Sequence, residues 1–476
     1  MKNSGGPSLG MRSVAVVALL VSLVGAGCLS ADEPGPDAVV TGDGESFAAV
    51  VPPEPDFDFS TVVDPDHASH SIASLHTAGH GLELVGHTGV GDLLPTTTRG
   101  SITAIDIWDH YAVVSGMEGG LAFVIVDLVD PAHPKAVGWA PSAADGWTAR
   151  FSGDGNYVFY GCQMLTGQGY APSTVVGTCE DPEAPHLPNQ NPAGISAWDV
   201  SDKANPKFVD FIAVGGSHNI YAATIGGVDY IFTASTAIVR FDAANGTLAQ
   251  VAEVPGRHDQ SVVRHPVTGD WLLFVGTGEL TIWNVNNPAD PQLVYEPEGE
   301  VPWTGWHDQT LVPGLVDGKA ILLLAGESGV GTGGEALPDV VSVVDVTDPT
   351  RPELLSQWQP PFRPLVPWAE YAFSIHEMAA TPTGQVAIAW YHAGVWVIDV
   401  STQDRQGGPV TLAAYQPHEG IDVLPSTFAQ TPVPYVPMVW GAGWTADGHL
   451  VVPDMHTGVY VLEPEWGLHP ALDSGQ

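Results

Sequence analysis

The chain has 476 residues, 44% hydrophobic and only 14% charged, with 55 glycines, 41 prolines and 15 tryptophans. That balance allows a large core interrupted by many turns, and it suits an all-β or repeat protein better than a helical one. The 54 acidic residues against 14 basic ones give a formal charge of -40, which excludes nucleic acid and anionic surfaces as electrostatically favoured partners and suits solubility in an ion-rich medium.

In chain order, "MKNSGGPSLGMRSVAVVALLVSLVGAGC" places Lys2 and Arg12 before an apolar run from Val14 to Val24 and then small residues. The run is too short to span a bilayer and reads as a signal peptide over residues 1–27. "LVGAGC" resembles a lipobox, which implies that Cys28 becomes the lipidated first residue of an exported lipoprotein and ties it to the membrane. Gly25 stands where that motif usually has leucine. Residues 28–66 are rich in Pro, Gly, Asp and Glu without periodicity and read as a flexible acidic tether. The next stretch holds His67, His70, His76, His80 and His87 at spacings that match no tight metal motif. In an oxidising compartment Cys162 and Cys179, close in sequence, are expected to form a disulfide.

From there a repeat organises the chain. Short β-rich runs end in an acidic or amide residue at Asp127, Asp199, Asp242, Asn284, Asp345, Asp399 and Glu463. Several lead into proline-bracketed turns such as "DPAHPKAV" and "DPTRPELL", where proline fixes φ and ends the strand, and a further alternating run follows. Between one unit and the next lie two strands joined by a glycine-containing turn, as in "SVVRHPVTGDWLLFVGT". The cycle therefore predicts four antiparallel strands, a to d, repeated seven times: an all-β, seven-bladed β-propeller over residues 67–476. The seventh cycle lacks a strand d after "VYVLEPEWG", and "HGLELVGHTG" near residue 80 is expected to supply it, closing the ring with an N-terminal outer strand. "FVIVD" (123–127), "VWVID" (395–399) and "VSVVDVTDPTRP" resemble the LVIVD-repeat family, which implies an exported prokaryotic propeller of mostly undefined activity.

Antiparallel order puts the start of strand a and the end of strand b at one end of each blade, here called the top. The start of the innermost strand is histidine in four consecutive blades: His218, His258, His307 and His376. Trp147 and Trp440 occupy the flanking blades, and Ser101 the first. His392, His456, Glu118 and Glu327 stand at ends of b strands on the same side. Converging imidazoles suit copper, iron, manganese or zinc, and a mononuclear metal centre on the axis is one reading. A recurring position that hydrogen-bonds between blades is the other. Asp259, Asp308 and Glu377, each one residue on, are expected to alternate to the other strand face, becoming outer partners only if a neighbouring blade brings them round. Trp303, Trp306, Trp368 and Trp444 near the top loops suit either blade packing or stacking on a flat ligand. "GESGVGTGG" lacks the lysine of a phosphate loop, and the sequence holds no serine elbow or zinc-protease helix motif. The sequence thus points to a surface binding module whose ligand is a protein, glycan or small molecule, with a metal-dependent oxidoreductase as the alternative.

Overall fold

Six of the seven acid-ended runs become the third strand of a four-stranded antiparallel sheet in sequence order, and the seventh, Gly458–Pro464, takes its fourth strand from the N-terminal side. The computed structural model describes residues 38–40, 46–48, 55–59, 79–93, 101–116, 121–141, 146–163, 179, 193–255, 259–276, 280–299, 301–303, 307–327, 340–359, 361, 374–402, 408–417, 437–455 and 457–466. All of them lie in one compact unit, Pro36–Gln476. The innermost strands are Ile102–Trp108, Ala149–Phe151, Ile220–Ile225, Gln260–Arg264, Asp308–Val316, Met378–Ala380 and Gly443–Trp444. Each neighbours the next and the last neighbours the first, so the sheets form a seven-bladed propeller. Among the described residues no helix is long and apolar enough to cross a membrane.

The recurring acids are turn caps. Asp127, Asp199, Asp242, Asn284, Asp345 and Asp399 each accept, through Oδ1, the backbone N–H two residues on, at 2.9 to 3.1 Å. In four blades a second Asx turn follows at Asp130, Asn287, Asp202 or Asp348, which takes up the next free N–H of the "DPxxP" type connection. These side chains satisfy their own backbone, which is why the residue type recurs while the chemistry does not.

A second regularity lies in the pairing of strands c and d. Every blade shifts register between strands c and d, at the same place in six and two pairs earlier in blade 3, leaving one extra residue on strand d: Val137, Val209, Val251, Val294, Leu355, Leu412 and Val85. Such bulges bend the outer strand and raise its twist, as a propeller blade requires. The extra residue is always Val or Leu, and in six blades it joins the apolar cluster shared with the following blade.

The N-terminal strand Leu82–Thr88 pairs antiparallel with Gly458–Pro464 and carries this same bulge at Val85. It is therefore strand d of blade 7, as expected, and the ring closes through hydrogen bonds between the two ends of the domain. Gly79–His80 adds a fifth strand to blade 6, pairing with Ala414 and Tyr415, which the sequence did not suggest. The stretch expected to be a uniform tether, 28–66, is also partly built: Ala38–Val40 pairs with Ser46–Ala48, Phe57 stacks on His80 at 3.9 Å, and Phe59 is buried beside Trp396. Two aromatic anchors override the acidic, proline-rich composition there, so the folded region begins before residue 67. Cys162 and Cys179 are joined by a disulfide whose Cα atoms are 6.4 Å apart.

Candidate functional site

At the top of the ring, side chains at the starts of the inner strands reach from each blade to the next. The Thr103 hydroxyl donates to the Trp147 carbonyl at 2.9 Å, and that of Thr148 donates to the Asn219 side-chain oxygen at 2.7 Å. Asn219 Nδ2 donates to Asp259 Oδ1. Asp259 Oδ2 accepts from His307 Nδ1 at 3.0 Å, and the same nitrogen lies 3.1 Å from the His376 carbonyl. His376 Nδ1 in turn donates to the Trp440 carbonyl at 3.0 Å. The chain of contacts runs through blades 1 to 7 and stitches inner strands that otherwise share no sheet. This is the interblade role expected on the structural reading, and it holds for His307 and His376.

The same bonds fix the chemistry of both rings. Carbonyl and carboxylate oxygens only accept, so Nδ1 of each imidazole carries a hydrogen and Nε2 is the nitrogen at which the ring gains or loses its second proton. His307 and His376 are 0% and 1% exposed, their ring centroids 4.4 Å apart. Glu327, two residues beyond the end of strand Lys319–Ala325, brings Oε2 to 3.4 Å from His307 Nε2. Its other oxygen accepts from the Tyr391 hydroxyl at 2.6 Å. Tyr391 occupies the turn after strand b of blade 6 at φ +35°, a conformation unfavourable to a bulky side chain. It is held by paired backbone bonds with Val439 of blade 7.

The three acids that follow the histidine register do not alternate out of the centre as expected. Asp259 bridges Asn219 and His307, whereas Asp308 accepts the Met378 N–H at 2.6 Å and a Thr310 hydroxyl at 3.1 Å. Glu377 reaches over Gly441, where an added Cβ would come within 2.7 Å of its Oε2. The twist of each inner strand and the tilt between blades turn these carboxylates toward the neighbouring blade.

Beneath them lies Arg150, the middle residue of strand a of blade 2 (Ala149–Phe151), which the sequence did not single out. It donates to the carbonyls of Ile105 in blade 1 and Ile220 in blade 3, at 2.8 and 3.3 Å, packs over the Tyr221 ring, and approaches Glu377 of blade 6 at 3.8 Å. One guanidinium thus acts on three carboxyl groups, Glu377, Asp106 and Asp259.

The electrostatics follow. Burial raises Asp308 to about 7, with the nearby Asp259 charge adding to the effect. Glu377 rises to about 8 because desolvation outweighs the help of Arg150. Burial opposes a charged His307, yet Asp259, aided by Glu327, outweighs it and pushes the imidazole up to about 10. Burial and the adjacent Glu327 raise the Tyr391 phenol well above its ordinary value, which keeps it a hydrogen-bond donor.

The other predicted residues are placed differently. His218 is half-buried, 4.7 Å from the Trp147 ring, with Nδ1 2.5 Å from the Gln163 side-chain oxygen. Among the described residues the ligand atoms that approach one another within 4.8 Å are those of His307, Glu327 and His376, and His218 is not among them. His218 stands apart from that group with its ring against Trp147, and His258 of the expected four-histidine centre lies outside the described residues. His392 is buried in the turn beside Tyr391. His258, His456, Glu118, Trp306, Trp368 and Cys28 lie outside the described residues. Trp303 is buried in the interface of blades 4 and 5, and Trp444 donates to the Ala379 carbonyl, both serving packing. His80 and His87 also have structural positions, against Phe57 and on the Thr457 carbonyl.

No family model matches the chain, and no curated protein does. Among solved structures it is similar to the WD40 β-propeller domain of Doa1, with a TM-score of 0.47 and 10% identity, covering 81% of this chain and 97% of that one. The strand pairing itself defines the class: a seven-bladed β-propeller with an ionisable, histidine-bearing centre at one end of its axis.

Proposed function

We propose that this protein is an exported, membrane-anchored binding module, held by a lipidated Cys28, whose ligand surface is the top of the propeller. One observation carries the reading: the two ends of the ring use their polar residues differently. At the bottom, the recurring acids cap their own turns. At the top, Trp147, His218, Glu327, His376, Tyr391 and Trp440 from blades 2, 3, 5, 6 and 7 converge instead on one another and on the axis. Trp147, Tyr391 and Trp440 are buried at this end, and aromatic side chains gathered with a few fixed polar groups are the usual make-up beneath a recognition site for a protein loop, glycan or small molecule. The disulfide supports an oxidising compartment.

Two measurements test it. Intact mass of the membrane-extracted protein is expected to show an acylated N-terminal cysteine, and Cys28→Ser to release the chain into the soluble fraction. In a glycan and peptide array, binding is expected to be weakened at least tenfold by Trp440→Phe and left unchanged by Asp348→Asn at the bottom. Binding sensitive to the bottom substitution alone would reverse the assignment of the face.

A further inference from the structure

We propose that His307, Glu327 and His376 hold one divalent transition-metal ion, of the zinc or ferrous class, at the top of the propeller axis. This goes beyond the binding-surface reading and does not depend on the identity of that ligand.

Three features of the geometry carry it. First, the donor atoms come from three rigid positions, the starts of strand a in blades 5 and 6 and the end of strand b in blade 5, and all lie within 4.8 Å of one another. An ion about 2.1 Å from each needs only a small inward movement of the side chains. Second, every donor is oriented from behind, as metal ligands are. His307 Nδ1 is bonded to Asp259 and the His376 carbonyl, His376 Nδ1 to the Trp440 carbonyl, and Glu327 Oε1 to the Tyr391 hydroxyl. The interblade stitch accounts for the two Nδ1 contacts. It does not account for a carboxylate from another strand, steadied by a tyrosine in a strained turn and directed at Nε2. Third, the carboxyl groups of Asp259, Glu327 and Asp308 all act on His307, so the centre is rich in carboxyl oxygens that accommodate a divalent cation where a closed ring shields it from water.

The donor set selects the ion. Two imidazoles disfavour magnesium and calcium, which take oxygen donors, and the lack of thiolate disfavours monovalent copper. Two nitrogens and one carboxylate leave open positions, suited to zinc with a bound water or to ferrous iron.

The test uses the full chain without an affinity tag, stripped with chelator and dialysed separately against zinc, ferrous iron under anaerobic conditions, cobalt(II), magnesium and calcium. The expected result is about one equivalent of zinc, iron or cobalt retained and no magnesium or calcium, with d–d absorption for the cobalt form. Glu327→Gln keeps an acceptor for Tyr391 and is expected to fold, and both it and His376→Gln should weaken retention at least a hundredfold. Tyr391→Phe should weaken it about tenfold. Substituting His67, His70 and His76 together by alanine should change nothing. Less than a tenth of an equivalent of any of these ions on the wild-type chain would overturn the proposal. So would retention unchanged in Glu327→Gln, or retention lost with the three upstream histidines. A folded Glu327→Gln with circular dichroism and melting like the parent makes its loss of metal a statement about ligation rather than folding.

Discussion

Gly86 offers a sharp test of how the ring is closed. It lies on the N-terminal strand opposite Val461, next to the bulge at Val85, and a Cβ at this position would run into the Pro131 carbonyl of blade 1, with Ala132 C and O at 2.8 and 2.9 Å. All three obstacles are backbone atoms in a turn fixed by Asp130, so none can rotate away. Gly86→Ala must therefore push the closing strand off blade 7 or spread the seam between blades 7 and 1. Overpacking of this kind costs about 1 to 3 kcal/mol, and a collision with main chain belongs at the upper end. With an unfolding entropy of about 2.1 cal/mol/K per residue over the roughly 300 described residues, the melting temperature should fall by about 2 to 5 °C. Differential scanning calorimetry of Gly86→Ala beside Gly91→Ala, where nothing lies within 4 Å of the new Cβ, supplies the comparison. Equal melting of the two variants would refute the claim that the N-terminal strand docks against blade 1.

Three further outcomes follow from named contacts. Removing the disulfide by Cys162→Ser with Cys179→Ser releases a closure spanning 17 residues and should cost about 3 kcal/mol, read by urea unfolding. Asp199→Ala deletes the acceptor of both the Ser201 N–H and hydroxyl, and should cost about 1 to 2 kcal/mol without altering the top of the ring. His265 donates from Nε2 to the Val346 carbonyl of blade 5 and accepts the Thr268 N–H on Nδ1. Burial therefore lowers its pKa below 6.5, so the unfolded chain takes up the proton first. The resulting penalty is absent above that value and grows as pH falls through it, and His265→Gln should flatten the fall in stability between pH 7 and pH 5.5 measured by calorimetry. A slope unchanged in that variant would show that other groups set the acid response.

The architecture was legible because its signals are local. The acid at the end of each strand c recurs since only a short oxygen-bearing side chain caps that turn, and "LELVG" reads as a strand by alternation wherever the chain places it. The bulge at Val85 and its six counterparts was hidden because it exists only in the pairing of two strands. The centre was legible in part. His307, His376 and Glu327 could be assigned to the top from blade order, but the inward turn of Asp259, Asp308 and Glu377 depends on twist and interblade tilt that no single repeat encodes. Arg150 was missed for a related reason: its partners Ile105, Ile220 and Glu377 belong to three other blades, and the residue type appears once in that register. Phe57 and Phe59 were missed because an acidic, proline-rich composition outweighed two aromatic residues in the reading of a tether.

The most direct measurement of the axial centre is anomalous diffraction at the metal edge from crystals of the full chain equilibrated with zinc. The predicted result is one strong peak bounded by His307 Nε2, His376 Nε2 and a Glu327 oxygen, at about 2.0 to 2.2 Å from each. An ordered His307, Glu327 and His376 with no peak between them, or the peak at other residues, would contradict it.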